Sequence, residues 1–156
     1  MNFIADTAKI IGDVTLGDGV AVLYGAVVRA DTGAIRIGDN SNVQDNCVIH
    51  TSPNEGCTIG AQVSIAHGAI VHSSTLGNRV VIGMNATVLH SCVVGDDCII
   101  AAGAVLRPGT KVPSGTMWGG VPARQIRELT DEDKKSILYY AKEYEELVKN
   151  EGKKRC

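Results

Sequence analysis

Aliphatic residues recur at intervals of six along most of this chain, in four runs. Ile10, Leu16, Val22 and Val28 form the first, Ile37, Val43 and Ile49 the second, and Ile59, Ile65 and Val71 the third. The fourth and longest goes from Leu76 through Ile82, Val88, Val94, Ile100 and Leu106 to Val112. Glycine often follows, as at Gly17, Gly38, Gly60, Gly77, Gly83 and Gly95. A period of six suits neither a 3.6-residue helix nor a plain series of hairpins. It suits a solenoid, in which a strand too short to bury its apolar side alone does so by stacking on the next coil. Three strands per coil give a triangular prism with an aliphatic centre and rungs roughly 4.8 Å apart. The expected fold class is an all-β solenoid.

The register breaks between Val28 and Ile37 and between Ile49 and Ile59, and loses one residue between Val71 and Leu76. The first two breaks predict short loops, at 30–34 and 51–57. After Pro122 the pattern changes. Thr130-Asp131-Glu132-Asp133 resembles a helix N-cap, and Ile137, Ala141, Tyr144 and Val148 then fall on one helical stripe. Residues 1–122 are thus expected to form the β-solenoid domain. Residues 123–156 are expected to be a linker and a C-terminal α-helix packed along it, with a frayed tail from Asn150 to Cys156.

Because one coil spans three repeat positions, the spacing also predicts which polar residues stack. Val28, Ile49, Val71 and Val88 share one edge, so Arg29, His50 and His72, each one residue on, form a column. Asp31 and His90 lie near it, with His90 one residue out of phase. Val43, Ile65 and Ile82 define a second column, where Asp45 and His67 occupy equivalent places beside Gln44 and Asn42. His67 is therefore separated from His50 and His72 within one prism. A threefold trimer would set the His50/His72 column of one chain against the His67 column of its neighbour. Three imidazoles and an open water position suit catalytic Zn(II), which brings the pKa of its water towards 7. Gln44, Asn42 and backbone carbonyls are candidates to orient the ligands. Arg29, Asp31 and Asp45 are candidates for charge pairs across the seam.

Composition narrows the setting. The 156 residues suit one domain, and 44 % apolar content with one Phe and one Trp requires a core of Val, Ile, Leu and Ala. A net charge of -2, without a basic stripe, gives no general attraction to nucleic acid or an anionic membrane. No signal-peptide pattern or membrane-length apolar run is present, so a cytoplasmic protein is expected. Cys47, Cys57, Cys92, Cys98 and Cys156 form no CxxC pair and read as reduced thiols. Cys47, Cys92 and Cys98 recur four residues after repeat-starting aliphatics, as small core residues do.

Four segments, VVRAD at 27–31, SNVQDNCVIH at 41–50, IAHGAIVH at 65–72 and GGVPAR at 119–124, give the chain a specific resemblance. It resembles the gamma-class carbonic anhydrase family over nearly its whole length. The resemblance implies a left-handed parallel β-helix of hexapeptide repeats, assembled as a homotrimer with a metal between subunits. It implies His50 and His72 as ligands from one chain and His67 from the next. Arg29 and Asp45 would form an interchain ion pair, with Asp31 supporting the architecture. Gln44 would orient the reacting hydroxide and Asn42 would line the pocket. The implied reaction is hydration of carbon dioxide to bicarbonate and a proton, with zinc, or alternatively Fe(II) or Co(II), as cofactor.

The chain departs from the best-studied type at two places. Thr32 stands where that type has a Glu, and the loop after His50 is short, with Glu55 as its sole acidic residue and candidate proton shuttle. Two alternatives follow: a metal-binding structural homologue with little hydratase activity, and a hexapeptide acyltransferase with His67 or His90 as general base.

Overall fold

A computed structural model describes residues 1–154; Arg155 and Cys156 lie outside the described residues. The chain winds into a left-handed parallel β-helix of about six turns, followed by one helix. Strands Phe3–Ile4, Ala21–Val22, Asn42–Val43, Ser64–Ile65, Val80–Ile82, Cys98–Ile100 and Thr116–Gly120 stack in parallel on one face. The second face carries the start of Lys9–Leu16 and of Val27–Ile37, then Val48–His50, Ile70–His72, Thr87–Val88 and Val105–Leu106. The third carries the ends of the same two long strands, then Cys57–Ile59, Thr75–Leu76, Val93–Val94 and Lys111–Val112.

The six-residue repeat is the interior. Val28, Ile49, Val71, Val88 and Leu106 pair rung upon rung and are fully buried. So do Val43, Ile65, Ile82 and Ile100 on the first face. Each such side chain contributes about 1.5–3 kcal/mol on burial, and it does so only because another coil covers it. Cys47, Cys57, Cys92 and Cys98 are buried and unpaired. Burial drives the Cys47 and Cys57 thiols up to about 11, as expected of inert packing residues.

Two expectations about elements need correction. Residues 30–34 are not a loop. Val27–Ile37 runs as one strand across a corner of the prism, because Lys9–Leu16 turns the same corner beside it and supplies backbone partners on both sides of a register shift. Residues 123–128 are not a linker, since Ala123–Glu128 folds back antiparallel on Thr116–Gly120 and caps the first face. The helix α1 runs from Asp131 past Asn150 to Lys154, and the rest of the expected tail lies outside the described residues.

The helix starts where the sequence placed its cap. The Asp133 amide donates to Thr130 Oγ1, while the Thr130 amide donates to Asp133 Oδ2. Ile137, Ala141 and Val148 are buried as the stripe predicted, and Val148 joins Phe3, Ala5, Ala21 and Leu23 in a small second core. α1 therefore lies back along the first face, over Phe3–Ile4, Ala21–Val22 and Ser64–Ile65.

Candidate metal centre

The second face builds the histidine column as counted. Arg29, His50 and His72 are direct rung partners. Val88 pairs with Val71, so Leu89 rather than His90 occupies the rung above His72. His90 is exposed one residue further along the corner.

His50 Nδ1 lies 3.2 Å from His72 Nε2, and His50 Nε2 lies 3.0 Å from Asp31 Oδ1. Arg29 Nη1 donates to the other oxygen, Asp31 Oδ2. Desolvation would raise the Asp31 carboxyl, but the hydrogen bonds from Arg29 and His50 outweigh it and hold it below the usual carboxylate value. An ionised Asp31 only accepts, so His50 carries its proton on Nε2 and turns the Nδ1 lone pair towards His72. Burial lowers His72 from the ordinary imidazole value, and neighbouring His50 and His90 push the same way against Glu55.

His67 is elsewhere, in the turn between Ser64–Ile65 and Ile70–His72, with Nδ1 at 2.8 Å from Asp45 Oδ2. That carboxylate accepts a hydrogen bond from Nδ1–H, which turns the Nε2 lone pair outward. Among the described residues of one chain, no group of three or more His, Cys, Asp or Glu side chains converges on a point that could hold a metal.

The donors present nonetheless match part of a metal site. Two imidazole nitrogens bound tetrahedrally to Zn(II) at 2.0–2.1 Å lie about 3.3–3.4 Å apart. The 3.2 Å between His50 Nδ1 and His72 Nε2 is close to that spacing. Carboxylates behind His50 and His67 supply the outer partners that metal-binding histidines need.

Within one chain, Gln44 and Asn42 hydrogen-bond to each other and to Ser64 rather than to the histidines. Gln44 Nε2 donates to Asn42 Oδ1 at 3.0 Å, and Asn42 Nδ2 donates to Ser64 Oγ at 2.9 Å. Asn42 and Ser64 are rung partners, so counting turns would have found Ser64, which the sequence analysis passed over. The Arg29–Asp45 pair is absent within one chain, where Arg29 holds Asp31 and Asp45 holds His67.

The loop carrying Glu55 is tied down beside the column. Thr32 Oγ1 donates to the Thr51 carbonyl at 2.5 Å, and the Ser52 amide donates to Ser73 Oγ at 2.6 Å. A Cβ on Gly33 would lie 1.7 Å from the Glu55 carbonyl oxygen, so only glycine lets this loop seat. Glu55 Oε2 is buried without a hydrogen-bond partner among the described residues, and its charge reaches His72.

A solenoid with two stacked histidines on one face and a carboxylate-backed third in a turn at another corner defines a hexapeptide-repeat protein. The repeat family described as "Bacterial transferase hexapeptide (six repeats)" matches residues 73–108. The chain is 45 % identical over 144 residues to a probable carbonic anhydrase of Methanocaldococcus jannaschii, covering 92 % of this chain and 91 % of that one. It is 40 % identical over 152 residues to the mitochondrial gamma carbonic anhydrase 1 of Arabidopsis thaliana, covering 94 % of this chain. The chain spans only 55 % of that plant protein's length. Among solved structures, a hexapeptide transferase family protein from Anaplasma phagocytophilum superposes with TM-score 0.86 at 35 % identity, covering 96 % of this chain and 92 % of that one. The chain belongs to the gamma-class carbonic anhydrase family of hexapeptide-repeat proteins.

Proposed function

We propose that this protein is a metal-dependent carbonic anhydrase that hydrates carbon dioxide to bicarbonate and a proton, as a homotrimer with its sites between chains. The observation that carries this reading is the His50–His72 pair at metal-ligand spacing, with a third, carboxylate-backed histidine in a turn at another corner of the same prism. His50 and His72 from one chain and His67 from its neighbour would hold Zn(II), with Fe(II) or Co(II) as alternatives. The ion, when bound, supplies hydroxide near neutral pH. Asp31 and Asp45 fix the tautomers of His50 and His67, and Gln44 offers its side-chain carbonyl to the reacting water. Glu55 is the candidate acceptor for the released proton, since its carboxylate lies within electrostatic reach of His72.

Self-association is supported by an outward aliphatic stripe on the histidine face. Val27, Val48, Ile70, Thr87 and Val105 stack in register along it, and Ile70 is 40 % exposed. Closed symmetric assembly would cover this stripe and let Arg29 reach the neighbour's Asp45. Four buried, unpaired thiols suit the reducing cytoplasm, and no helix among the described residues is long and apolar enough to cross a membrane.

The decisive assay measures metal content and carbon dioxide hydration for the wild type and His67→Ala. The expected result is hydration by the metal-replete wild type and a loss of at least about 100-fold in kcat/KM for the variant. A metal-replete wild type without hydration would leave only a metal-binding homologue. One observation favours a second reading, acyl transfer: the His67–Asp45 dyad has the geometry of an oriented general base. Calorimetry with acetyl-CoA separates the two, since binding supports acyl transfer and its absence removes it.

A further inference from the structure

The turn after His50 is held more firmly than a connection between coils requires. Ser52-Pro53-Asn54-Glu55 closes on itself, with the Glu55 amide donating to the Ser52 carbonyl at 3.1 Å. Proline stands second, and Asn54, third, sits at φ 62, which is the pattern of a type II turn. Glu55 is its last residue, so its side chain leaves from a fixed point. The root of the turn is clamped from two sides. Thr32, in the strand Val27–Ile37, donates from Oγ1 to the Thr51 carbonyl, and its own carbonyl accepts from the Asn54 amide at 3.4 Å. On the next coil Ser73 Oγ accepts from the Ser52 amide.

Ser73 is the unusual member of this clamp. It falls where the repeat is one residue short, and it sits at φ 41, in the left-handed region that favours glycine. Glycine would fit that backbone without strain; what serine adds is a buried hydroxyl spent on the Ser52 amide. The Ser73 amide meanwhile donates to the His50 carbonyl at 3.0 Å. One residue thus ties the backbone of the histidine column to the root of the Glu55 turn. The Glu55 carboxylate takes no part in the ties. Its Oε2 is buried without a hydrogen-bond partner among the described residues, and its charge is felt at His72. A carboxylate oxygen is costly to bury without a donor, so its placement calls for a role.

We propose that Ser73 and Thr32 are positioning residues, which act through the Thr51–Ser52 root to fix the Glu55 carboxylate beside the His50/His72 column. There it takes the proton that water gives up on forming bicarbonate, and passes it to buffer. The proposal rests on the hydratase reading and deepens it, by naming the groups that set the proton's exit. Neither hydroxyl bonds a histidine nitrogen among the described residues, so both act through Glu55.

The test compares Ser73→Gly, which suits the backbone and removes the hydroxyl, Thr32→Val, which keeps the shape, and Glu55→Gln. Amide hydrogen exchange of the metal-free, full-length protein reads the clamp. In Ser73→Gly and Thr32→Val the Glu55 amide, altered by neither change, is expected to exchange at least about tenfold faster, while the Ile49 and Val71 amides stay protected. Carbon dioxide hydration by the metal-replete protein reads the consequence. In dilute buffer the kcat of all three variants is expected to fall at least about tenfold, with kcat/KM within about twofold of wild type. Concentrated imidazole buffer, which takes the proton directly, restores kcat. Combining Ser73→Gly with Glu55→Gln adds no further loss to Glu55→Gln alone, because both act on one group. A Glu55 amide as protected as in wild type, a kcat that imidazole does not restore, or additive losses in the combined variant would overturn the proposal and leave the hydratase reading standing. A metal-replete wild type without hydration would overturn both.

Discussion

At the scale of single residues, carboxylates set which nitrogen of His50 and of His67 is free. Asp31 accepts from His50 Nε2 and Asp45 from His67 Nδ1. Replacing Asp31 with Ala removes the partner that keeps the His50 proton on Nε2. Zinc affinity, measured by competition with a chromophoric chelator, is expected to fall about 10–100-fold while the fold persists; an unchanged affinity would remove Asp31 from the site. The thiols give an opposite kind of prediction. With burial pushing Cys47 and Cys57 up to about 11, neither alkylates near neutral pH in the folded protein, and both do so on unfolding. Mass spectrometry after iodoacetamide treatment reads this directly. The stacking of Arg29, His50 and His72 was legible in the sequence because a parallel coil repeats its register. The partners of Gln44 and Asn42 were not, because spacing gives a residue's height and face but not its rotamer. Gln44 turned to Asn42, and Asn42 to Ser64.

At the scale of elements, the strands followed from hydrophobic spacing and the misreadings arose where backbone pairing overrode it. The interruption at 30–34 looked like a loop because no aliphatic residue kept the period. Lys9–Leu16 makes the same turn alongside, so the backbone groups of the insertion found partners and the strand continued. Residues 123–128 escaped notice for a related reason. They cap the open end of the stack in antiparallel pairing, which carries no repeat to count. The start of α1 was readable from its cap, and that cap is sensitive to acid. Arg127, first, and then the Thr130 amide hold the Asp133 carboxyl far below its usual value. A carboxylate depressed in the folded state stabilises fully above its unfolded pKa, near 3.9, and loses that contribution as pH falls towards the folded value. The thermal midpoint of Asp133→Asn should therefore lie below that of the wild type by a constant amount above about pH 5, and the gap should close at lower pH. A gap that widens with acid would contradict the assigned partners.

At the scale of the whole molecule, the prism explains why a complete site is not found in one chain. His50 and His72 stand rung on rung on the second face and His67 in the turn after Ser64–Ile65, with Asp31 against His50 and Asp45 against His67. A core packed on this pattern does not bend to bring these positions together, so the proposed site takes its third donor from a second copy. The family resemblance supplied the division of ligands, while the column count alone supplied the reason for it. The central claim is that each site is shared between two chains, and mixing two inactive variants tests it most directly. His67→Ala keeps the two-histidine column, and His72→Ala keeps the lone third ligand. Each alone is expected to be inactive in carbon dioxide hydration. Unfolded together and refolded at equal ratio, they should recover roughly a quarter of wild-type activity, since each interface draws one partner from each variant at random. A mixture as inactive as its parents, at wild-type oligomeric size and beside an active refolded wild type, would contradict the account.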